Sequence, residues 1–117
     1  RLSPMINKSL YDYKSWHETD LSKTVDMMLS NDAVVRIKAE YIQLNIRLTR
    51  LELFLSTVMA TERPSDTKED TIQQLMEQKE IMIQYKQILE RRIDALYEKA
   101  KKFENDILAL EETYQNA

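Results

Sequence analysis

Between about Asp32 and Ala60 the apolar positions are Ile37, Tyr41, Leu44, Leu48, Leu51, Leu55 and Val58, a 4-3-4-3-4-3 spacing that lines one face of an α-helix. Asp32 stands where a carboxylate can accept from the free amides of the first turn, so the helix is expected to be N-capped there. The stop falls at Thr61-Glu62-Arg63-Pro64-Ser65-Asp66, because proline lacks an amide hydrogen and pushes its predecessor out of helical geometry. A second helix is predicted from near Ser65 to Thr67, with Glu69 and Asp70 in its first turn favouring the helix dipole. Its stripe is Ile72, Leu75, Lys79, Met82, Lys86, Leu89, Ile93, Leu96, Ala100, Phe103, Ile107, Leu110 and Tyr114, and the heptad spacing persists to the end of the chain.

A short loop makes the two helices antiparallel neighbours. The first, about 28 residues and roughly 42 Å long, can cover the second, about 48 residues and roughly 72 Å, only as far as about Ala95. Leu96 through Tyr114 then present an apolar stripe that the hairpin leaves uncovered. Either the N-terminal segment folds back on it or another protomer covers it, and the second is the expectation. The first helix points the same way, since Val35, Ala39, Ile42, Ile46 and Leu53 form a second apolar stripe beside its seam. Residues 1–31 differ in kind. Asp20 to Leu29 can form a short amphipathic helix through Leu21, Val25 and Met28, preceded by the aromatic run Leu10-Tyr11-Asp12-Tyr13-Lys14-Ser15-Trp16-His17. The expected fold is therefore all-α: an antiparallel helical hairpin with a long C-terminal helix and a short N-terminal helical arm, oligomeric. It divides into an arm over 1–31, a hairpin over 32–95 and an extension over 96–117.

Composition narrows the chemistry. The 117 residues contain no glycine, which excludes a glycine-rich phosphate loop and a dinucleotide-binding turn. Cysteine is absent too, so disulfides and thiolate catalysis are excluded, which leaves the compartment open with a lean to the cytosol. Net charge is −3, which argues against nucleic acid as a partner. No apolar run approaches the roughly 20 residues that span a bilayer, so no membrane association is expected.

Few residues remain for catalysis. His17 is the only histidine, so a histidine metal cluster cannot be built within one chain. Beside Trp16 it reads as a surface or packing residue. No catalytic residue, metal or cofactor is assigned, and an enzyme is not expected. Lys79 and Lys86 stand out because charge on a helix seam costs stability. They either reach an anionic ligand held between protomers or pack their stems and carry the ammonium groups to water. Arg91-Arg92 is a solvated pair or a phosphate fork. Tyr11, Tyr13 and Trp16, with Lys8 and Lys14, either stack bases and steady phosphates or pack the arm onto a helix pair.

Two strings then come together. Arg36-Ile37-x-x-Glu40-x-x-Gln43-Leu44-x-x-Arg47-Leu48-x-x-Leu51-x-x-Phe54 precedes the loop, and Leu75-x-x-Gln78-x-x-x-Met82-x-x-Tyr85-x-x-Ile88-Leu89-x-x-Arg92-Ile93 follows it. In that order they resemble the hairpin domain of small phage anti-defence proteins, the anti-CBASS and anti-Thoeris nucleotide sponges, over about residues 34–95. The resemblance implies an oligomeric helical protein, a hexamer in the favoured form. It would bind a cyclic di- or trinucleotide or cyclic ADP-ribose between protomers and sequester it without catalysis, in the cytoplasm of an infected bacterial host. Arg36, Arg47, Tyr85 and Arg92 are the ligand-binding candidates that the resemblance carries. Tyr11, Trp16, Lys79 and Lys86 are candidates on their residue types alone. The alternative function is a structural coiled-coil adaptor of a phage, supported by the unbroken heptads from Leu89 to Tyr114.

Overall fold

The computed structural model describes residues 6–60 and 69–116. The proline loop and the expected start of the second helix at 65–67 lie outside them. The described chain is helical, with no strand, and forms a rod of 78 × 24 × 21 Å. Helix α2 (Ala33–Ala60) starts where the cap directs it: Asp32 Oδ1 accepts from the Val34 amide at 2.9 Å, and the Asp32 carbonyl accepts from the Arg36 amide at 3.1 Å. Helix α3 (Glu69–Asn116) runs antiparallel to it. Contacts along the pair fix the register, since Tyr41 meets Glu90, Glu40 meets Tyr85, and Leu55 and Val58 cluster with Ile72.

The core is the predicted seam. Ile37, Tyr41, Leu44 and Leu48 pack with Met82, Leu89 and Ile93, and Leu55, Val58 and Ile72 form a second cluster toward the loop end. Each side chain buried this way contributes about 1.5–3 kcal/mol, so the seam outweighs the weak intrinsic preference of any one turn. Leu96, half-buried, is the last seam residue packed against the main cluster, which agrees with the coverage limit near Ala95.

The arm is built from single turns. 3-10 turns at Lys8–Leu10, Tyr13–Ser15 and Leu21–Thr24 lead into α1 (Val25–Met28). Asn7 and Asp20 start two of these turns by accepting the amide two residues on, from Ser9 at 3.2 Å and from Ser22 at 2.9 Å. The turn at Leu21–Thr24 and α1 pack on α2. The predicted apolar face of this segment is not the buried one, for Val25 and Met28 are half-exposed while Thr24 is fully buried. Thr24 Oγ1 donates to the Leu21 carbonyl at 2.6 Å and accepts from Gln43 Nε2 at 2.8 Å, so a polar pair rather than an apolar stripe seats the arm.

This packing changes the argument from the second stripe of α2. Ala39, Ile42 and Ile46 are buried within the chain itself, with Ile42 beside Trp16, Thr24 and Met27. That stripe therefore does not call for a second protomer, except at Leu53, which is 69% exposed. The extension of α3 is different. The arm runs along one flank of it, where the Ile6 amide donates to Glu104 Oε2 at 2.7 Å and the Tyr11 ring lies 5.5 Å from that of Tyr97. Phe103, Leu110 and Tyr114 remain 62%, 67% and 86% exposed.

Candidate ligand-binding site

The hairpin has two long flanks, one on each side of the seam, and two hydrogen bonds identify them. On the first, Tyr85 Oη donates to Glu40 Oε2 at 2.6 Å. Residues seven apart share a helix face, so Arg47 and Phe54 stand on the Glu40 side of α2, and Gln78 and Arg92 on the Tyr85 side of α3. Arg36 lies one turn before Glu40, and Ile81 and Ile88 border Tyr85. Arg36, Arg47 and Arg92 are exposed, as are Phe54, Ile81 and Ile88. All four candidates carried by the family strings thus lie on one flank, and its α3 strip stands open to water.

Two of those arginines have some local use. Arg36 Nη1 donates to the Ser30 carbonyl at 2.7 Å and ties the end of the arm to the start of α2. Arg47 borders a cleft with Leu21, Ser22, Val25 and Gln43, where the arm crosses. The Tyr85 phenol is raised above its ordinary pKa, first because it donates to Glu40 and then by burial and the Glu40 charge; the Arg92 guanidinium opposes this. The flank therefore presents guanidinium forks, a phenol held neutral at physiological pH and apolar side chains, a set suited to an anionic ring-bearing ligand.

The second flank carries the arm. Tyr41 Oη donates to Glu90 Oε2 at 2.8 Å, and the Tyr41 ring is met by Tyr13 at 5.6 Å and edge-on by Trp16 at 5.6 Å. The Lys38 ammonium sits 4.9 Å from the centre of the Trp16 ring, and Lys86 lies 6.0 Å from that of Tyr41. Trp16 Nε1 donates to the Ser9 carbonyl at 2.9 Å. These are the contacts of an arm packed on a helix pair. Lys79 and Lys86 occupy seam positions of the heptad pattern and are half-buried. Burial, followed by the bond to Glu90, pushes the Tyr41 phenol far above its ordinary value; burial and then Asp94 raise Tyr13, and burial and then Asp32 raise Tyr11.

Between the arm and α3 lies an open cleft of about 430 Å³, lined by Lys8, Tyr11, Asp12, Tyr13, Lys14, Asp94 and Tyr97. Tyr13 Oη donates to Asp94 Oδ2 there at 3.2 Å. The eight candidates accordingly divide into two sets. Arg36, Arg47, Tyr85 and Arg92 share the first flank; Tyr11, Trp16, Lys79 and Lys86 belong to the second, spread from the arm towards the loop end. Glu40, Lys38, Glu90, Asp94 and Tyr97 were not singled out from sequence, although the seven-residue spacing of Glu40 to Arg47 was available as a signal. Among the described residues, no group of three His, Cys, Asp or Glu side chains could hold a metal ion, and no helix is long and apolar enough to cross a membrane.

The model of the family described as Sequestin matches residues 31–95, more than half of the chain. The matched segment takes in α2 and the part of α3 that α2 covers, and leaves out the arm and the extension. No curated protein and no solved structure matches the chain.

Proposed function

Because this chain belongs to the Sequestin family, whose name speaks of sequestering a ligand, we propose that it is a phage anti-defence sponge. It binds a cyclic oligonucleotide or a cyclic ADP-ribose immune signal in the cytoplasm of an infected bacterium and holds it without hydrolysing it. The family match over the hairpin carries this reading, and it agrees with the resemblance of the two strings. The gathering of Arg36, Arg47, Tyr85 and Arg92 on one flank supports it.

Sequestration needs affinity and abundance, and no bond needs to break. A phosphate on this flank takes charge-assisted hydrogen bonds from guanidinium forks, each worth about 1.5–3 kcal/mol. A base gains about 1–3 kcal/mol where it stacks on a tyrosine face. One flank offers few such groups, so a ligand held between protomers of a homo-oligomer, with the hexamer of the resemblance as the favoured form, reaches higher affinity than one chain alone.

The test is a thermal shift with cyclic dinucleotides, cyclic trinucleotides and cyclic ADP-ribose isomers in turn. A ligand at a hundred times its Kd stabilises the fold by about 2.7 kcal/mol, so binding is readily seen. The shift is expected to disappear in an Arg47→Ala/Arg92→Ala variant, and ligand released by heat is expected to be chemically intact. No shift with any of the ligands would leave the coiled-coil adaptor as the better reading, and recovery of cleaved ligand would make the protein an enzyme.

A further inference from the structure

The extension of α3 carries a heptad seam past the point where α2 stops covering it, and its most exposed large apolar residues belong to that seam. Phe103, Leu110 and Tyr114 lie in water, while Ala100 and Ile107 are half-buried. The arm meets the neighbouring flank at Tyr97 and Glu104, and Phe103, Leu110 and Tyr114 stay open to water. A stripe repeating every 3.5 residues is complementary to another helix with the same repeat. We propose that the α3 extension pairs antiparallel with the extension of a second copy of this chain.

Three observations select that occupant and that direction. First, α2 already fills the seam up to Ile37 and Ile93, so a second copy running parallel would drive its own hairpin into this one. An antiparallel helix instead continues the line of α2 along the same seam, and the second hairpin lies beyond the far end of the rod. Second, the side-chain sizes match in this register. Phe103 faces Ile107 of the second copy and Ala100 makes room for its Leu110, each contact occurring twice about a two-fold axis.

Third, the charges on one flank match. Lys99 and Asp106 stand to Phe103 and Ile107 as Tyr85 and Glu40 stand to Leu89 and Tyr41 in the hairpin, where the last four meet across the seam. The same geometry brings Lys99 against Asp106 of the second copy, twice. Among the described residues Asp106 has an exposed contact with Lys102 at 3.9 Å, which leaves its carboxylate able to accept a further cation. Because the extension lies outside the family match, this pairing does not rest on the ligand reading.

The test uses the full chain. In light scattering, a Phe103→Asp/Leu110→Asp variant is expected to have half the mass of the parent protein, with its helical circular dichroism retained; an unchanged mass overturns the proposal. Direction is read by crosslinking, which is clean because the chain contains no cysteine. Residues 100 and 110 are about 15 Å apart along one helix, too far for a bond within the chain, whose Cα separation is about 4.4–6.8 Å. An Ala100→Cys/Leu110→Cys variant is expected to give a disulfide-linked dimer on oxidation, while Leu110→Cys alone stays unlinked. Linking by the single variant shows parallel tails, and failure of the double variant shows no pairing in this register; either result overturns the proposal.

Discussion

Tyr41→Phe removes one oxygen from the most heavily used side chain of the molecule and leaves its ring contacts in place. The Tyr41 ring is 4% exposed and packs against Tyr13 and Trp16, while its hydroxyl donates to Glu90 at 2.8 Å. A bond from a buried donor to a carboxylate is worth about 1.5–3 kcal/mol. Glu90 is half-buried and retains access to water, which places the loss near the lower end, about 1.5 kcal/mol. For a chain of this length, about 4 °C per kcal/mol converts that to a melting temperature lower by about 6 °C.

Tyr85→Phe supplies the internal control. Its bond to Glu40 is the shorter of the two at 2.6 Å, yet Tyr85 is 40% exposed and water replaces the lost partner. The expected cost is therefore about 0.5 kcal/mol or less. Both variants are measured by thermal and urea unfolding of the same preparation. A loss at Tyr85 equal to that at Tyr41 would show that bond length outweighs burial here, and would refute the reasoning.

Two further outcomes follow from the same contacts. Tyr11, Tyr13, Tyr41 and Tyr85 all have phenols raised above their ordinary value in the fold, so their contribution is fully present below about pH 10 and is lost as pH rises toward the folded values. Urea unfolding is expected to show constant tyrosine-linked stability up to about pH 10 and a decline above it, less steep in Tyr41→Phe; a decline of equal slope in that variant would remove Tyr41 from the account. Leu89→Ala, at a site with no exposed surface, is expected to cost about 2–5 kcal/mol in urea unfolding, and a cost below about 1 kcal/mol would mean the seam closes over the cavity.

The helices were legible because their signal is periodic. Spacing of three and four placed Ile37 through Val58 and Ile72 through Ile93 on facing stripes, and the difference in helix length placed the end of coverage at about Ala95, where Leu96 is the last residue on the main cluster. The arm had no such signal. Its turns depend on single side chains, Asn7, Asp20 and Thr24, and its path depends on which polar group meets Gln43. Reading Val25 and Met28 as a buried face applied helical periodicity to a segment barely one turn long, where no period can be established. The same gap made the second stripe of α2 look like an oligomer contact when Ile42 and Ile46 are covered by the chain's own N-terminal segment.

The candidate residues divide along the same line. Those drawn from the two helical strings fall together because each string samples positions beside the seam: Glu40 and Arg47 on one helix, Tyr85 and Arg92 on the other, each pair seven residues apart. Pairing across an antiparallel seam brings such positions to the same side, so the strings by themselves imply the shared flank. Those drawn from residue type do not fall together, since an aromatic or a cation in the sequence says nothing about which face it reaches. Trp16 shows the consequence. Its ring is engaged by Tyr41 and Lys38, so a base stacking on the face that Lys38 covers must displace it, whereas a ligand on the exposed Tyr85 and Arg92 strip competes with water and with the Tyr85–Glu40 bond. That difference in what must be given up, rather than any difference in residue chemistry, makes the first flank the better ground for a ligand.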